Sequence, residues 1–449
     1  MSAVRSPSRL AGPGSAASDP APGAARIRRS AQLYSTPWFV RRQSLNAKRY
    51  LAGLAPIREQ GLGRRAEAAS TAHVRAANRL LHEARASLSQ DVLRLDALAR
   101  TIEEQGHLGP LRNDYFSLKD RIYARTREAE KLLAFYTSIF EQRRGRFGPR
   151  LLTIDRIARD CYQTVWMGLG RARRVPAPTP FAYIEDGNGP ATYRRGVRMS
   201  ALGRRPNPFP LVKLPQHRLH NPWTLGAVPH EVAHNLQNDL GMWAVLPKRI
   251  RSALRGHLPE QAITIWQRWH KENYADLAGT LLIGPAFVES LIDVVSKTPQ
   301  RTAAFDPEGV HPTPIIRVPL NCVMLRRIGF EREAHAFAAV WEELYPRRLL
   351  RALPVPFRDS LEEGMARVVD ATCFRPEPAY GGKALVEVIR FTQQDAAYTR
   401  EAGERLIRSE NTGVLPERFL IAAAWHALHS GKISPRNIAR NFYRALGET

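Results

Sequence analysis

The sequence predicts a mostly helical α+β protein with one small sheet near its middle. Three observations lead there. Apolar residues recur at helical spacing in the N-terminal part, first as Val74, Ala77, Leu80, Leu81, Ala84, Leu88, Val92, Leu95 and Leu98, then as Tyr115, Leu118, Ile122, Leu132, Phe135, Tyr136 and Ile139. From about Val175 the pattern changes to the short, Pro/Gly-bounded, partly alternating segments FAYIED, ATYRRGVRMSAL and FPLVKLP. Helical patterning resumes near Asn221 and continues to the C-terminus.

The elements follow in order. Residues 1–35 are rich in Ala, Gly, Ser and Pro and read as a disordered basic tail. Residues 54–170 read as a helical hairpin region that turns at Gly106-His107-Leu108-Gly109-Pro110. The region 175–330 holds the sheet segments and then EQAITIWQRWHKENYADLAGTLLI, a single strong helix broken at Gly284-Pro285. Residues 331–449 form a C-terminal helical region, interrupted at RPEPAYGG and ending in SPRNIARNFYRALG.

Composition narrows the functional classes. Across 449 residues, 67 Lys+Arg face 42 Asp+Glu, a net charge of +25. Such a balance allows nucleic acid, acidic membrane surfaces or acidic proteins as partners. The charge is spread along the chain without a nucleic-acid motif, so any such binding is expected to be weak and non-specific. Three scattered cysteines, Cys161, Cys322 and Cys373, speak against a disulfide framework or a Cys-ligated zinc, and for a reducing compartment, the cytoplasm. No window approaches the length of a transmembrane helix, and the N-terminal stretch lacks the apolar core of a secretory signal. Arg41-Arg42 resembles a twin-arginine pair, but Lys48 and Arg49 interrupt the segment after it. Nothing in the sequence specifies an oligomeric state.

The chemistry concentrates in VPHEVAHNLQNDLG, residues 228–241. His230 and His234 are four residues apart, so a helix presents both imidazoles on one face to one cation. Glu231 beside them can reach a water on that cation. An accidental HExxH is expected in roughly one such chain in fifty, so the motif needs a third ligand. The metzincin continuation fails, because Gln237 and Leu240 stand where Gly and His belong. Glu272, in HKENYADLAG, is the preferred ligand: it shares a stripe with Ile265, Trp269 and Asp276, where a carboxylate has to be paired or metal-bound. Glu289, in FVESLIDVV with Asp293 four residues on, is the alternative. Asp276, one turn beyond Glu272, is placed to accept the other N–H of His230.

HEVAH, then ENYADLA, then GVHPTPIIRV resembles the gluzincin metallopeptidases, and looks closest to the group containing the membrane peptidase HtpX and the CAAX-processing proteases. The similarity covers about Phe209 to Arg327. It implies a zincin-like catalytic domain over 175–330 that hydrolyses peptide bonds as an endopeptidase, with one Zn2+ per chain. His230, His234 and Glu272 would bind zinc, Glu231 would be the general base, Asp276 would hold a histidine, and His311 and Arg317 would line or brace the site. Those relatives are membrane-embedded and this chain has no spanning helix, so their substrates do not carry over. The substrate expected is a peptide or protein, and FPLVKLPQ is a candidate edge strand for it to pair with. Pro229 either opens the HExxH helix or kinks it.

Two other readings belong to different classes. One is a basic nucleic-acid-binding protein with a structural or regulatory zinc, although a structural zinc fills its positions with protein ligands and needs no adjacent glutamate. The other is a peptidase-like protein that binds peptides without cutting them, against which the intact Glu231 stands.

Overall fold

The computed structural model describes residues 35–58, 68–170, 175–187 and 189–446. The expected tail lies outside them, apart from its last residue. The fold is mostly helical α+β with one three-stranded sheet. Among the described residues, no helix is long and apolar enough to cross a membrane. The chain divides into two compact units: Met1–Ala55 with Glu83–Glu130, and Pro56–His82 with Lys131–Thr449.

The first unit contains α1 (Thr36–Gly53) and the greater parts of α2 (Thr71–Gln105) and α3 (Arg112–Glu141). The sequence pattern does not mark α1, which buries only Val40, Ser44 and Ala47. Polar bonds hold it instead: the Ser44 hydroxyl donates to Asp96 at 2.7 Å, and Lys48 pairs with the same carboxylate at 2.6 Å. Buried Asp91 takes Arg121 and Arg125 from α3.

The second unit begins its compact part with α4 (Gly148–Gly168) and the sheet of β1 (Phe181–Ile184), β2 (Ala191–Tyr193) and β3 (Leu211–Leu214). The strand order is β1-β3-β2, with β1 parallel and β2 antiparallel to β3. This corrects the reading of FPLVKLPQ as an edge: β3 is the central strand. Its Leu211, Val212 and Leu214 are fully buried, as a near-continuous apolar run in a central strand should be. Both edges meet helices: β1 packs on α4, and β2 on the helix Ala227–Asp239.

Helices follow: α5 (Ala227–Asp239), α6 (Met242–Leu254), α7 (Glu260–Arg268), α8 (His270–Ile283), α9 (Pro285–Val295), α10 (Pro299–Ala303), α11 (Pro314–Arg327) and α12 (Glu331–Leu344). The helix expected over EQAITIWQRWHKENYADLAGTLLI is two helices, parted at Trp269 with ψ near 2°. No Gly or Pro announces that break. Tertiary packing explains it: the Trp269 indole donates to Gly309 O at 3.1 Å and its ring meets Trp266, Phe305 and Phe357. The expected break at Gly284-Pro285 is present. Gly284 has φ 64°, and a Cβ there would lie 2.2 Å from the Phe391 ring.

From Glu272 onward α8 is buried on every side, as the central helix of a core is. It packs on α5, α9 and α11. Further helices, α13 (Val355–Asp359), α14 (Leu361–Val369), α15 (Leu385–Val388), α16 (Gln393–Ile407), α17 (Phe419–His429) and α18 (Pro435–Leu446), complete this unit.

Close approach between α8 and α9 depends on Gly279, where a Cβ would meet the buried Phe287 ring at 2.2 Å. Gly279→Ala gains up to about 1 kcal/mol in helix propensity. Overpacking is expected to outweigh that, at about 1–3 kcal/mol. Chemical denaturation should show a lower midpoint for the variant; an unchanged or higher midpoint would mean that Phe287 moves aside freely.

Candidate metal centre

Helix α5 supplies the first two ligands. Pro229 is its third residue, where a missing backbone N–H breaks no helical bond, so the helix continues through His230 and His234. Asn235 fixes its rotation, donating to Glu231 O at 2.8 Å and to the Thr192 hydroxyl of β2 at 2.7 Å. His230 and His234 thereby turn their Nε2 atoms toward α8. They stand 3.4 Å and 3.3 Å from the two carboxylate oxygens of Glu272. The three side chains each offer one ligand atom, all within 4.8 Å of one another, and can hold a metal ion.

The groups behind these ligands are as ordered as the ligands. His230 Nδ1 lies 2.9 Å from Asp276 Oδ1. Arg317, on α11, grips Asp276 with two bonds of 2.8 Å and 2.7 Å and stands 3.6 Å from Glu272. Asn321, one turn on, donates to Arg317 O at 2.9 Å and accepts from Thr280 of α8 at 2.7 Å, which locks the two helices in register. His234 Nδ1, by contrast, is buried without a hydrogen-bond partner.

The formal charges of this centre suit a cation. Glu231, Glu272 and Asp276 are buried, and Arg317 is the permanent positive charge among them. Three carboxylates against one guanidinium leave a formal −2, which a divalent ion cancels. Without an ion, protons take that part. Burial pushes His230 down, but hydrogen bonds to Asp276 and Glu272 outweigh it and raise it to about 10. Burial pushes Glu272 up, and its bonds to both imidazoles carry it well below the usual carboxylate range. Asp276 is raised by burial and lowered further by Arg317, so it ends below its ordinary value. Glu231 goes the other way: burial raises it, and the imidazoles only partly offset this. Its carboxylate makes no hydrogen bond or ion pair among the described residues, and it lines the cleft.

That cleft has a volume of about 380 Å³. His311 stands at its rim, 3.5 Å from Glu272 and with its side chain 71% exposed, so it is free to turn toward a bound molecule. Glu289, the alternative third ligand, is engaged elsewhere: it accepts from Trp425 at 2.6 Å and lies 2.8 Å from His429. Asp293 lies 3.7 Å from Arg218. Ile265 and Trp269 are buried in the core beside α8. The sequence reading missed the walls of the cleft: Thr192 and Arg194 at β2, Trp243, Lys271, and Phe287 with Leu291 on α9. Lys271 and Trp243 flank motif residues, but no spacing rule marks them.

Compared with protein-family models, curated proteins and solved structures, the chain matches none. The geometry of the centre therefore carries the functional reading.

Metal analysis of the purified protein is expected to find one divalent ion per chain. Glu272→Ala and His234→Ala should release it, whereas Glu289→Ala should retain it. Asp276→Asn should weaken metal affinity by about 10–100-fold, because the histidine loses the acceptor that orients it. Removing Arg317 leaves a buried carboxylate unpaired, so Arg317→Ala should cost about 3–5 kcal/mol of stability in a denaturant titration.

Proposed function

We propose that the protein is a zinc-dependent endopeptidase, in which His230, His234 and Glu272 hold zinc and Glu231 is the general base. One observation carries the reading. Next to a two-histidine, one-carboxylate group, a buried carboxylate that makes no hydrogen bond or ion pair among the described residues faces the same open cleft. Two imidazoles and one carboxylate suit zinc, and three protein ligands leave the further position that a catalytic site needs and a structural site fills.

Zinc, when bound, supplies Lewis acidity that polarises a scissile carbonyl and acidifies water. Glu231 takes a proton from the attacking water and returns it to the departing amine. Its lack of other partners keeps both oxygens available for that exchange. Asp276 holds the Nδ1 side of His230, so the Nε2 side stays directed at Glu272 and the ion. Arg317 fixes Asp276 and acts through it, as a positioning residue. His311 at the rim is placed to donate a hydrogen bond to charge developing on the carbonyl oxygen.

An extended substrate has a strand to lie along. β2 borders the cleft through Ala191 and Thr192 and pairs with β3 on one side only. It takes the role that FPLVKLPQ was expected to play. The free, buried thiols of Cys161, Cys322 and Cys373, all pushed up by burial, suit a reducing compartment, and we place the protein in the cytoplasm.

The decisive variant is Glu231→Gln. It keeps size and loses the base, so it should retain the metal and the fold while peptide cleavage falls by about 10²–10⁴-fold or more. His234→Ala should lose metal and cleavage together. The measurement is digestion of a broad peptide mixture read by mass spectrometry. Parental cleavage rates in Glu231→Gln would rule out this mechanism, and parental protein that cleaves nothing with zinc in place would rule out the peptidase.

A further inference from the structure

The two ends of the cleft are chemically unlike, and α5 serves as a ruler between them. At its start, Gly226 lies so close to α9 that a Cβ would sit 2.6 Å from the Ser290 hydroxyl. Phe287, Leu291 and Val294 make that wall apolar. Near its end, Asn238 accepts a 2.7 Å bond from Arg194. Gly226 and Asn238 are twelve positions apart, roughly 18 Å of helix at 1.5 Å per residue. His230 and His234 fall between them. A bound chain therefore passes from an apolar wall, across the metal ligands, to a different surface.

That surface is cationic and built. The Arg194 guanidinium lies 3.6 Å from the centre of the Trp243 ring, and Lys271 Nζ lies 4.4 Å from it. Arg194, Trp243 and Lys271 all line the cleft and are half-buried. Two cations held over one ring repel each other, and neither has an ion-pair partner among the described residues. The nearest carboxylates are already engaged. Glu272 faces the imidazoles, and Asp239 is taken by the Tyr162 hydroxyl at 3.1 Å and by Arg195 at 4.0 Å. Arg194 gives one nitrogen to the neutral Asn238 and keeps further donors for a ligand. Stacking on Trp243 holds the guanidinium plane in place, which lowers the ordering cost of a bidentate carboxylate contact.

We propose that Arg194, Trp243 and Lys271 form a carboxylate subsite, so that the cleft selects peptides with a carboxylate at that end and an apolar side chain against α9. The inference rests on the peptidase reading of the cleft. The carboxylate comes either from an acidic side chain or from the peptide's own C-terminus. The first makes an acid-selective endopeptidase, the second a trimming enzyme.

The test uses full-length, zinc-loaded protein and short peptide hydroxamates, which chelate the metal of such a cleft without being cut. One pair differs only by glutamate against glutamine at the position reaching Arg194. A second pair differs only by a free acid against an amide at the C-terminus. At least one acidic member should bind about tenfold or more tightly than its neutral partner in calorimetry, and added salt should shrink the difference. The glutamate pair showing it identifies a side chain; the C-terminal pair identifies the chain end. In Arg194→Gln/Lys271→Gln the ratio should fall to about one with zinc content as in the parent, and Arg194→Lys should restore part of it. Equal binding within both pairs, or a preference that survives the double substitution, would overturn the subsite while leaving the metal cleft standing. If no hydroxamate binds, the peptidase reading falls and the subsite with it.

Discussion

Two carboxylates on a helix buried from every side have to be neutralised by something outside that helix. Glu272 and Asp276 set this condition on α8, and the surrounding structure answers it. Arg317 comes from α11, His230 and His234 from α5, and the Asn321–Thr280 bond keeps the first of these helices in register. Burying two unpaired carboxylates would cost several kcal/mol each. That cost is why the packing of three helices and the assembly of the centre are the same event. A site built this way is held by the core and not by loops, which gives ligands the positional precision that metal chemistry needs.

The same condition explains what could be read from the sequence. His230, Glu231 and His234 were legible because helical spacing alone brings i and i+4 together. Glu272 and Asp276 were legible because carboxylates on a stripe with Trp269 and Ile265 contradict a solvated face. The split at Trp269 takes Ile265 off that face, so the burial of both acids holds for a different reason: the helix His270–Ile283 is surrounded from Glu272 onward. Glu289 has a similar local pattern, but its partners, Trp425 and His429, are some 140 positions away and nothing near it in the chain announces them. The helix break at Trp269 hid for the same reason: it goes with edge-on packing against Phe305 and Phe357, not with a local residue preference. Strand order hid too: the apolar run Leu211–Leu214 fits a central strand, but it is only four residues long, and neither of its neighbours, β1 and β2, is longer. The mostly helical class, the small sheet and the Gly284 break were legible from periodicity and backbone chemistry.

Net charge was the least informative feature of the sequence. A surplus of +25 suggested a polyanion as partner. A few of the arginines work inside the fold. Arg143 is fully buried against Asp155 and the Phe181 ring, Arg418 is buried on Asp160, and Arg317 serves the metal centre. The weight of a charge depends on its surroundings: a guanidinium in water adds to a diffuse field, whereas one beside a buried carboxylate decides whether a helix can pack.

Arg194 and Lys271 fit neither case. They are half-buried, close together over one ring and without an ion-pair partner among the described residues, so their mutual repulsion is not offset. In the candidate metal centre, by contrast, Glu272 and Asp276 are each matched by an imidazole and by Arg317. Glu231 and the Arg194–Lys271 pair have no ion-pair partner among the described residues, and all three open on the same cleft. Groups of opposite sign that face one space without ion-pair partners are what the proposed substrate would have to match.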